Sequence, residues 1–393
     1  MQRREFIAIS AAGVTRLAAD TALDDAVRKV GTLPRRKLGA SNREISVLVG
    51  AGTWDRSAVD AAIRCGVNYW HKAEDWGHNV PPAILKNRDQ HYCQVCVDRV
   101  RGNHETGQID GEAFYQLVKR AVAETGLRYF DDMQFHFGYH SVAELKGNHG
   151  FVEAYERLKK EGLVKHLCLS QHSYNGNWFV RGGQSAAEIL TAVADDGVFE
   201  HAQFAYSYGD EAALTSFIAY ARKKGFGTIA MKTTRGAGRM TRDRDFMRDF
   251  PHGATPHQAL ARWLTTRTQL DAAVVQINSV AQFADTFSGA GQAMRAADHR
   301  AMEQMAGYAD REACRLCNRC MEACPEGVPV ADILRCERYA LDYGEPATAR
   351  RLYAALPRRA DACTRCNACV DRCPQSLQIP EKLIAVHRAM LEV

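Results

Sequence analysis

The chain has 393 residues, is 46% apolar and 25% charged, and carries a formal net charge of +5. That balance excludes a disordered chain, and without a long basic run it gives nucleic-acid binding no support. No stretch reaches the roughly 18 apolar residues of a membrane span. The length allows two or three domains, although one β/α barrel alone takes about 250 residues. The thirteen cysteines are unevenly spread: nine lie between Cys314 and Cys373, and Cys65, Cys93, Cys96 and Cys168 lie upstream. A core of this size needs no disulfides, so the cluster reads as metal ligation at the C-terminal end.

The first elements are a short basic region and a mildly apolar run. Arg3-Arg4-Glu-Phe6-Ile7 followed by this run has signal-peptide architecture. It resembles a twin-arginine signal, a route that exports proteins already folded. Residues 1–30 are assigned to this segment. The expectation is a periplasmic or otherwise exported protein, and a cytoplasmic one if the segment is only an amphipathic helix.

Over residues 35–295 short apolar runs alternate with amphipathic stretches. Strands are predicted at 45–49, 67–70, 92–97, 133–137, 166–170, 202–207, 228–231 and 272–277. Helices are predicted at 57–64, 114–125, 152–160, 186–194, 212–223 and 256–265, with glycines such as Gly126, Gly162 and Gly225 at their ends. Thr255 before Pro256 reads as an N-cap followed by proline at the first helical position. This alternation predicts an α/β chain with a (β/α)8 TIM barrel rather than a doubly wound sheet. No Gly-x-Gly-x-x-Gly follows a strand, so a Rossmann dinucleotide site is unsupported. Asp131-Asp132 reads as a solvated turn. Gly236-Ala-Gly238, flanked by Arg235 and Arg239, reads as a flexible loop tip or a cradle for an anion.

A polar, helix-prone connector over about 290–310 leads into the last domain, residues 305–393. Two runs there share one grammar: Cys314-x2-Cys317-x2-Cys320-x3-Cys324-Pro325 and Cys363-x2-Cys366-x2-Cys369-x3-Cys373-Pro374. This is the spacing of two-cluster ferredoxins, in which the fourth cysteine of each run ligates the other cluster. Two 4Fe–4S clusters are expected, one on Cys314, Cys317, Cys320 and Cys373, the other on Cys363, Cys366, Cys369 and Cys324. Zinc would call for two separated cysteine pairs instead. Cys336, in an apolar helical pattern, reads as packing, as do Cys65 and Cys168. The 38 residues between the runs contain two helix-like stretches, which resembles the α-helical ferredoxin type of electron-transfer subunits. An electron-transfer role and a redox partner protein follow from that.

The barrel sequence resembles the aldo/keto reductase family over about residues 35–290. The motifs are Arg36-Lys-Leu-Gly39, Gly50-Ala-Gly52-Thr53-Trp54, Ala61-Ala-Ile-Arg-Cys-Gly66-Val67-Asn68-Tyr69, Tyr129-Phe-Asp-Asp-Met-Gln134-Phe-His136, Gly162-Leu-Val-Lys-His-Leu-Cys-Leu-Ser170-Gln-His172 and Ile229-Ala-Met231-Lys232. One branch of that family also carries an iron–sulfur extension. The resemblance implies carbonyl reduction by a nicotinamide, with an acid and a lysine tuning a tyrosine that protonates the carbonyl oxygen, and a histidine that orients the substrate. Here the acid position is His71 and the tyrosine position is Trp76. The lysine position falls on Cys96, or on Asp98 if the strand is two residues longer, and the histidine is His136. Indole N–H is not a useful acid, so conventional chemistry and NADP(H) are not favoured. If a nucleotide binds, the resemblance places Lys232 and Ser279 against it.

Strand alternation turns His71, Cys96 and His136 toward the barrel mouth, with His172 close by. Such a His/Cys set can hold a metal or can be the remnant of a filled pocket. The leading expectation is an iron–sulfur oxidoreductase relaying electrons between a small-molecule ligand at the barrel mouth and a redox partner. The competing expectations are a non-catalytic electron-transfer scaffold, and an NADPH-dependent reductase using Asp75 or His71 as a substitute acid.

Overall fold

The structure is a computed structural model. It describes residues 21–391 apart from 53–54, 74–79, 98–109, 137, 140, 148–149, 173–183, 210 and 254, and gives residues 72, 73, 97 and 237 as backbone only. The export-signal core, Asp75, Trp76 and Asp98 lie outside the described residues.

A helix over 21–30, α1, precedes an antiparallel pair, β1 (Arg35–Lys37) and β2 (Glu44–Ser46). Eight parallel strands then close into a barrel: β3 (Leu48–Ala51), β4 (Tyr69–Ala73), β5 (Tyr92–Val97), β6 (Phe130–Phe135), β7 (Val164–Gln171), β8 (His201–Ala205), β9 (Gly227–Met231) and β10 (Ala272–Gln276), with β10 pairing back onto β3. The connecting helices are α2 (Arg56–Arg64), α3 (Pro82–Lys86), α4 (Gly111–Thr125), α5 (Val142–Gly147), α6 (Gly150–Lys160), α7 (Ala186–Asp196), α8 (Thr215–Lys224), α9 (Ala237–Met240), α10 (Arg244–Arg248), α11 (Pro256–Thr266) and α12 (Val280–Phe287).

Local chemistry fixes the helix ends. Asp55 caps α2 by accepting from the Ala58 amide, and Ser185 with Glu188 forms a capping box on α7. Thr255 caps α11 with Pro256 at its first turn, as expected. Gly126, Gly197 and Gly225 close α4, α7 and α8 in the left-handed region. The β1–β2 hairpin was too short to register as a periodic signal. It covers the base of the barrel, where Leu38 and Ile45 pack with Val49, Tyr69, Ile229 and Ala272. Gly39 has a left-handed φ of +56°, and a Cβ there would lie 2.4 Å from the Gly225 carbonyl, so the hairpin tip seats against the β8–β9 side only because it is glycine.

The apolar layer lies outside the barrel, between strands and helices. Trp70, Val95, Met133, Phe135, Leu167, Leu169 and Phe204 share it with Phe114, Phe151, Phe217 and Trp263. The lumen is polar, where apolar branched side chains usually stack. Gln94, Asp132, Gln134, His201 and Gln203 are all fully buried there. Asp131 and Asp132 are therefore not a solvated turn; both are buried within β6. Asp131 accepts from Arg88 at 2.7 Å and Asp132 from Arg43 at 2.7 Å. A buried carboxylate persists only when paired in this way.

The chain leaves the barrel along α13 (Ala296–Glu312), which buries Ala301, Met302, Met305 and Ala309 in the barrel's own layer. A second core begins at Cys314. It is built from α14 (Arg319–Glu322), α15 (Val330–Leu341), α16 (Pro346–Ala354), α17 (Ala368–Asp371) and α18 (Ile379–Leu391). Helix α15 is buried from Val330 to Tyr339, charged residues included, because it lies between this core and the barrel.

Candidate functional site: the cleft between barrel mouth and cysteine module

The eight cysteines of the two runs fall into two sets. Around Cys320 the nearest interacting thiols are Cys314, Cys317 and Cys373, and next Cys369 of the other run. Around Cys369 they are Cys363, Cys324 and Cys366. Each group thus includes a thiol of the opposite run within electrostatic reach. The two loops share one backbone: Leu316 and Asn318 in the first, and Arg365 and Asn367 in the second, all adopt φ between +56° and +64°. These left-handed residues alternate with the thiols and turn three of them inward from one short loop. Backbone amides also face sulfur, with the Leu316 N–H donating to Cys314 Sγ at 3.2 Å and Val328 to Cys324 Sγ at 3.3 Å.

Burial pushes the Cys314 thiol up to about 12 and that of Cys369 up to about 11, with neighbouring thiols adding to it. Neighbouring thiols of which some are buried become thiolates together only with a bound cation. Two sets of four thiols, with N–H donors to sulfur and no disulfide, suit 4Fe–4S clusters. Beside the second set, Cys324, Cys363, Cys366 and Cys369 line an apolar cavity with Val328 and Leu383.

At the barrel mouth, His71, His136, Cys96 and Lys232 lie together. His136 and Lys232 act electrostatically on His71 of β4, and Cys96 acts on Lys232. His136, just past β6, meets the ring of His172 edge-on at 4.4 Å. Burial, then the charges of His136 and Lys232, lower His71 to about 3, so it is a neutral imidazole at any working pH. Gln94 sets its orientation. Gln94 Oε1 accepts from Tyr69 Oη at 2.7 Å and from Gln203 Nε2 at 2.6 Å. Its Nε2 is then left to donate to His71 Nδ1 at 2.8 Å. His71 therefore carries its proton on Nε2.

The donor atoms of His71, Cys96 and His136 do not gather closely enough for a metal. Among the described residues the set that does gather is Asp132, Cys168 and His201, deeper in the lumen. The Arg43 guanidinium already holds Asp132. Burial raises that carboxyl, but Arg43 and His201 outweigh it and keep it below the usual carboxylate range. Cys168 is thus buried as expected, in a polar setting.

The two residues that the family resemblance placed against a nucleotide are engaged by the protein. Ser279 caps α12 by accepting from the Gln282 amide. Lys232 follows β9 with a left-handed φ of +56°, a conformation costing about 1–2 kcal/mol in an L-residue. Its Nζ donates to Tyr339 Oη at 3.2 Å and lies 4.6 Å from the ring centres of both Tyr339 and Tyr343. At the end of β10, Gln276 donates to Glu345 at 3.3 Å. The module thus covers the ends of β9 and β10, and residues of both bodies line one cleft: His172, Ser207 and Lys232 from the barrel, Leu316, Arg335 and Tyr339 from the module.

Gly236-Ala-Gly238 is what joins the two bodies, neither a free loop tip nor an anion cradle. Arg235 is buried against Asp310. Arg239 donates to Asp342 at 2.7 Å, to Glu337 at 3.3 Å and to the Glu312 carbonyl at 2.7 Å. A Cβ on Gly238 would lie 2.1 Å from the Asp342 carbonyl oxygen. Arg235, Arg239 and α15 have no local sequence signal for this role, because their partners are some 75 to 103 positions away.

Residues 306–374 match the family described as a 4Fe-4S dicluster domain. No curated protein matches the chain. Among solved structures, a Pseudomonas aeruginosa protein described as an aldo-keto reductase is 17% identical, with 66% of this chain and 96% of that one covered and a TM-score of 0.49. An aldo-keto reductase from Bacillus halodurans, in its apo form, is 14% identical, with 70% and 96% covered and a TM-score of 0.49. The observed topology and the matched domain define the class: a closed (β/α)8 barrel carrying a C-terminal 4Fe-4S dicluster domain.

Proposed function

We propose that the protein is an iron–sulfur oxidoreductase in which two 4Fe–4S clusters pass electrons between a partner protein and a small molecule at the barrel mouth. One observation carries this reading: Leu316, inside the first cysteine loop, lines the same cleft as His172 and Lys232 of the barrel. When bound, the clusters supply single electrons. The chain's own residues do the rest. Cys314, Cys317, Cys320 and Cys373 hold the cluster nearest the mouth. Cys363, Cys366, Cys369 and Cys324 hold the other, and Cys366 is exposed where a partner can approach. His71 offers a neutral Nε2–H donor fixed by Gln94, and Lys232 offers positive charge.

No step is assigned to a nicotinamide. Trp76 stands where the reductase tyrosine would be, and Lys232 and Gln276 are taken up by Tyr339 and Glu345. Anaerobic stopped-flow on the holoprotein tests this. Reduced viologen is expected to bleach the cluster absorbance and NADPH to leave it unchanged. Stoichiometric bleaching by NADPH would sink the proposal.

A further inference from the structure

The cleft has a one-sided charge. Lys232, Arg315, Arg335 and Arg338 line it with Tyr339 and Tyr343, and among the described residues no aspartate or glutamate does. The carboxylates that face these cations stand behind them. Asp310 pairs with Arg315 at 2.8 Å, Asp332 pairs with Arg335, and Asp342 approaches Arg338 at 3.7 Å, yet none reaches the cleft. The four cations come from three separate places: the end of β9, the first cysteine loop and α15. Their convergence is therefore a property of how the module is seated, not of one basic run.

Cations gathered around one partly sheltered space repel one another, their carboxylate partners offset this only from behind, and an anion entering the cleft would offset it from the front. Burial first, and then the charges of Arg338 and Arg335, lower Lys232 to about 8 against the opposing charge of Glu345. Guanidinium groups match the paired oxygens of carboxylates and phosphates, and three of the four cations are arginines. The cleft is partly open to solvent, so a small ligand can reach these groups from outside. On the barrel side His172 and Ser207 add a ring nitrogen and a hydroxyl.

We infer that this cleft is a binding site for a small organic anion, held through carboxylate or phosphate oxygens by Lys232, Arg335 and Arg338. The inference rests on reading the cleft as the substrate site, and it names the substrate's class. The other role open to the arginines is to offset the charge of the nearby thiolates alone, in which case no anion would bind.

Isothermal titration of the oxidised holoprotein under anaerobic conditions separates the two. The probes are succinate, inorganic phosphate and succinamide, the last a neutral compound of succinate's shape. Saturable binding of succinate or phosphate at one site per chain, weakening as salt rises, with none for succinamide, is the expected result. Tighter binding of succinate identifies a carboxylate site, and tighter binding of phosphate a phosphoryl site. Arg335→Gln and Arg338→Gln should each weaken binding about tenfold, whereas Arg388→Gln on α18 should not. Absence of saturable binding by either anion, or equal binding of succinamide, overturns the inference without any variant. Binding indifferent to both cleft substitutions overturns it as well. The titration uses no reductant, so anion binding can hold while the electron-transfer proposal fails, and the reverse.

Discussion

The two cysteine loops repeat each other in spacing and in left-handed backbone positions, but they live in different surroundings. In the first, Cys314, Leu316 and Cys320 are buried, α15 lies alongside, and arginines and Lys232 gather near it. In the second, residues 364–367 are exposed and Cys366 reaches solvent. Ligands alone do not set a cluster's behaviour; charge, hydrogen bonding and solvent exposure do. The duplicated motif thus supplies two equal sockets, and the barrel makes them unequal. The buried one lies beside the cleft at the mouth and the exposed one faces outward.

The largest test of this inequality exchanges single ligands. Cys320→Ser and Cys366→Ser should each lower bound iron by about half, but the Cys320 change should also disturb the barrel, because its loop borders the cleft that the barrel mouth lines. Tryptophan fluorescence reads the barrel cleanly, since all five tryptophans precede residue 264. Equal fluorescence stability in the two variants would contradict the asymmetry.

Arg239→Ala comes next. It removes the nearest guanidinium from Asp342 and Glu337, which keep only Arg338 at 3.7 Å and Lys382 at 3.6 Å, an effect of about 3 kcal/mol, the low end for a broken buried pair. Denaturant titration should show it, and oxygen should then bleach the first cluster as readily as the second. Gly238→Ala forces a methyl into the Asp342 carbonyl and should cost about 1–3 kcal/mol, as overpacking does. The same two readouts apply.

The smallest effect is of pH and belongs to the barrel. Burial lowers His71 to about 3, and His91 and His201 to about 4. Below about pH 6.5 the unfolded chain takes up protons that these folded rings refuse. Barrel stability should therefore fall as pH drops from about 6.5 toward 4. His91→Asn should flatten that slope, and fluorescence-monitored unfolding at pH 7 and pH 5 checks it.

Much of the architecture is legible in the sequence. Apolar runs placed the eight barrel strands within a few residues, since each strand is buried on its outer face by helices. Cysteine spacing pointed to the iron–sulfur domain that residues 306–374 match, because three ligands on one loop are a local matter. What escaped was non-local. Asp131-Asp132 looks like a turn until Arg43 and Arg88 arrive from elsewhere in the chain. Gly236-Ala-Gly238 looks mobile until Asp342 lies against it. Arg335 and Arg338 lie in the first helix-like stretch between the runs, and form a wall of the cleft only because α15 docks on the barrel. His71 and His136 were placed at the mouth by strand alternation, but the Gln94 and Tyr69 contacts that fix the His71 tautomer depend on lumen residues from three other strand positions.

The exchange of fourth thiols between the two runs bears on what would happen to a severed chain. Cys373 stands with the first set and Cys324 with the second, so iron in either set would tie the halves together as a cross-link does. A single cut between Cys324 and Cys363 would make two polypeptides that stay clasped to each other. Removing the metal, rather than breaking the backbone, is what would let them part.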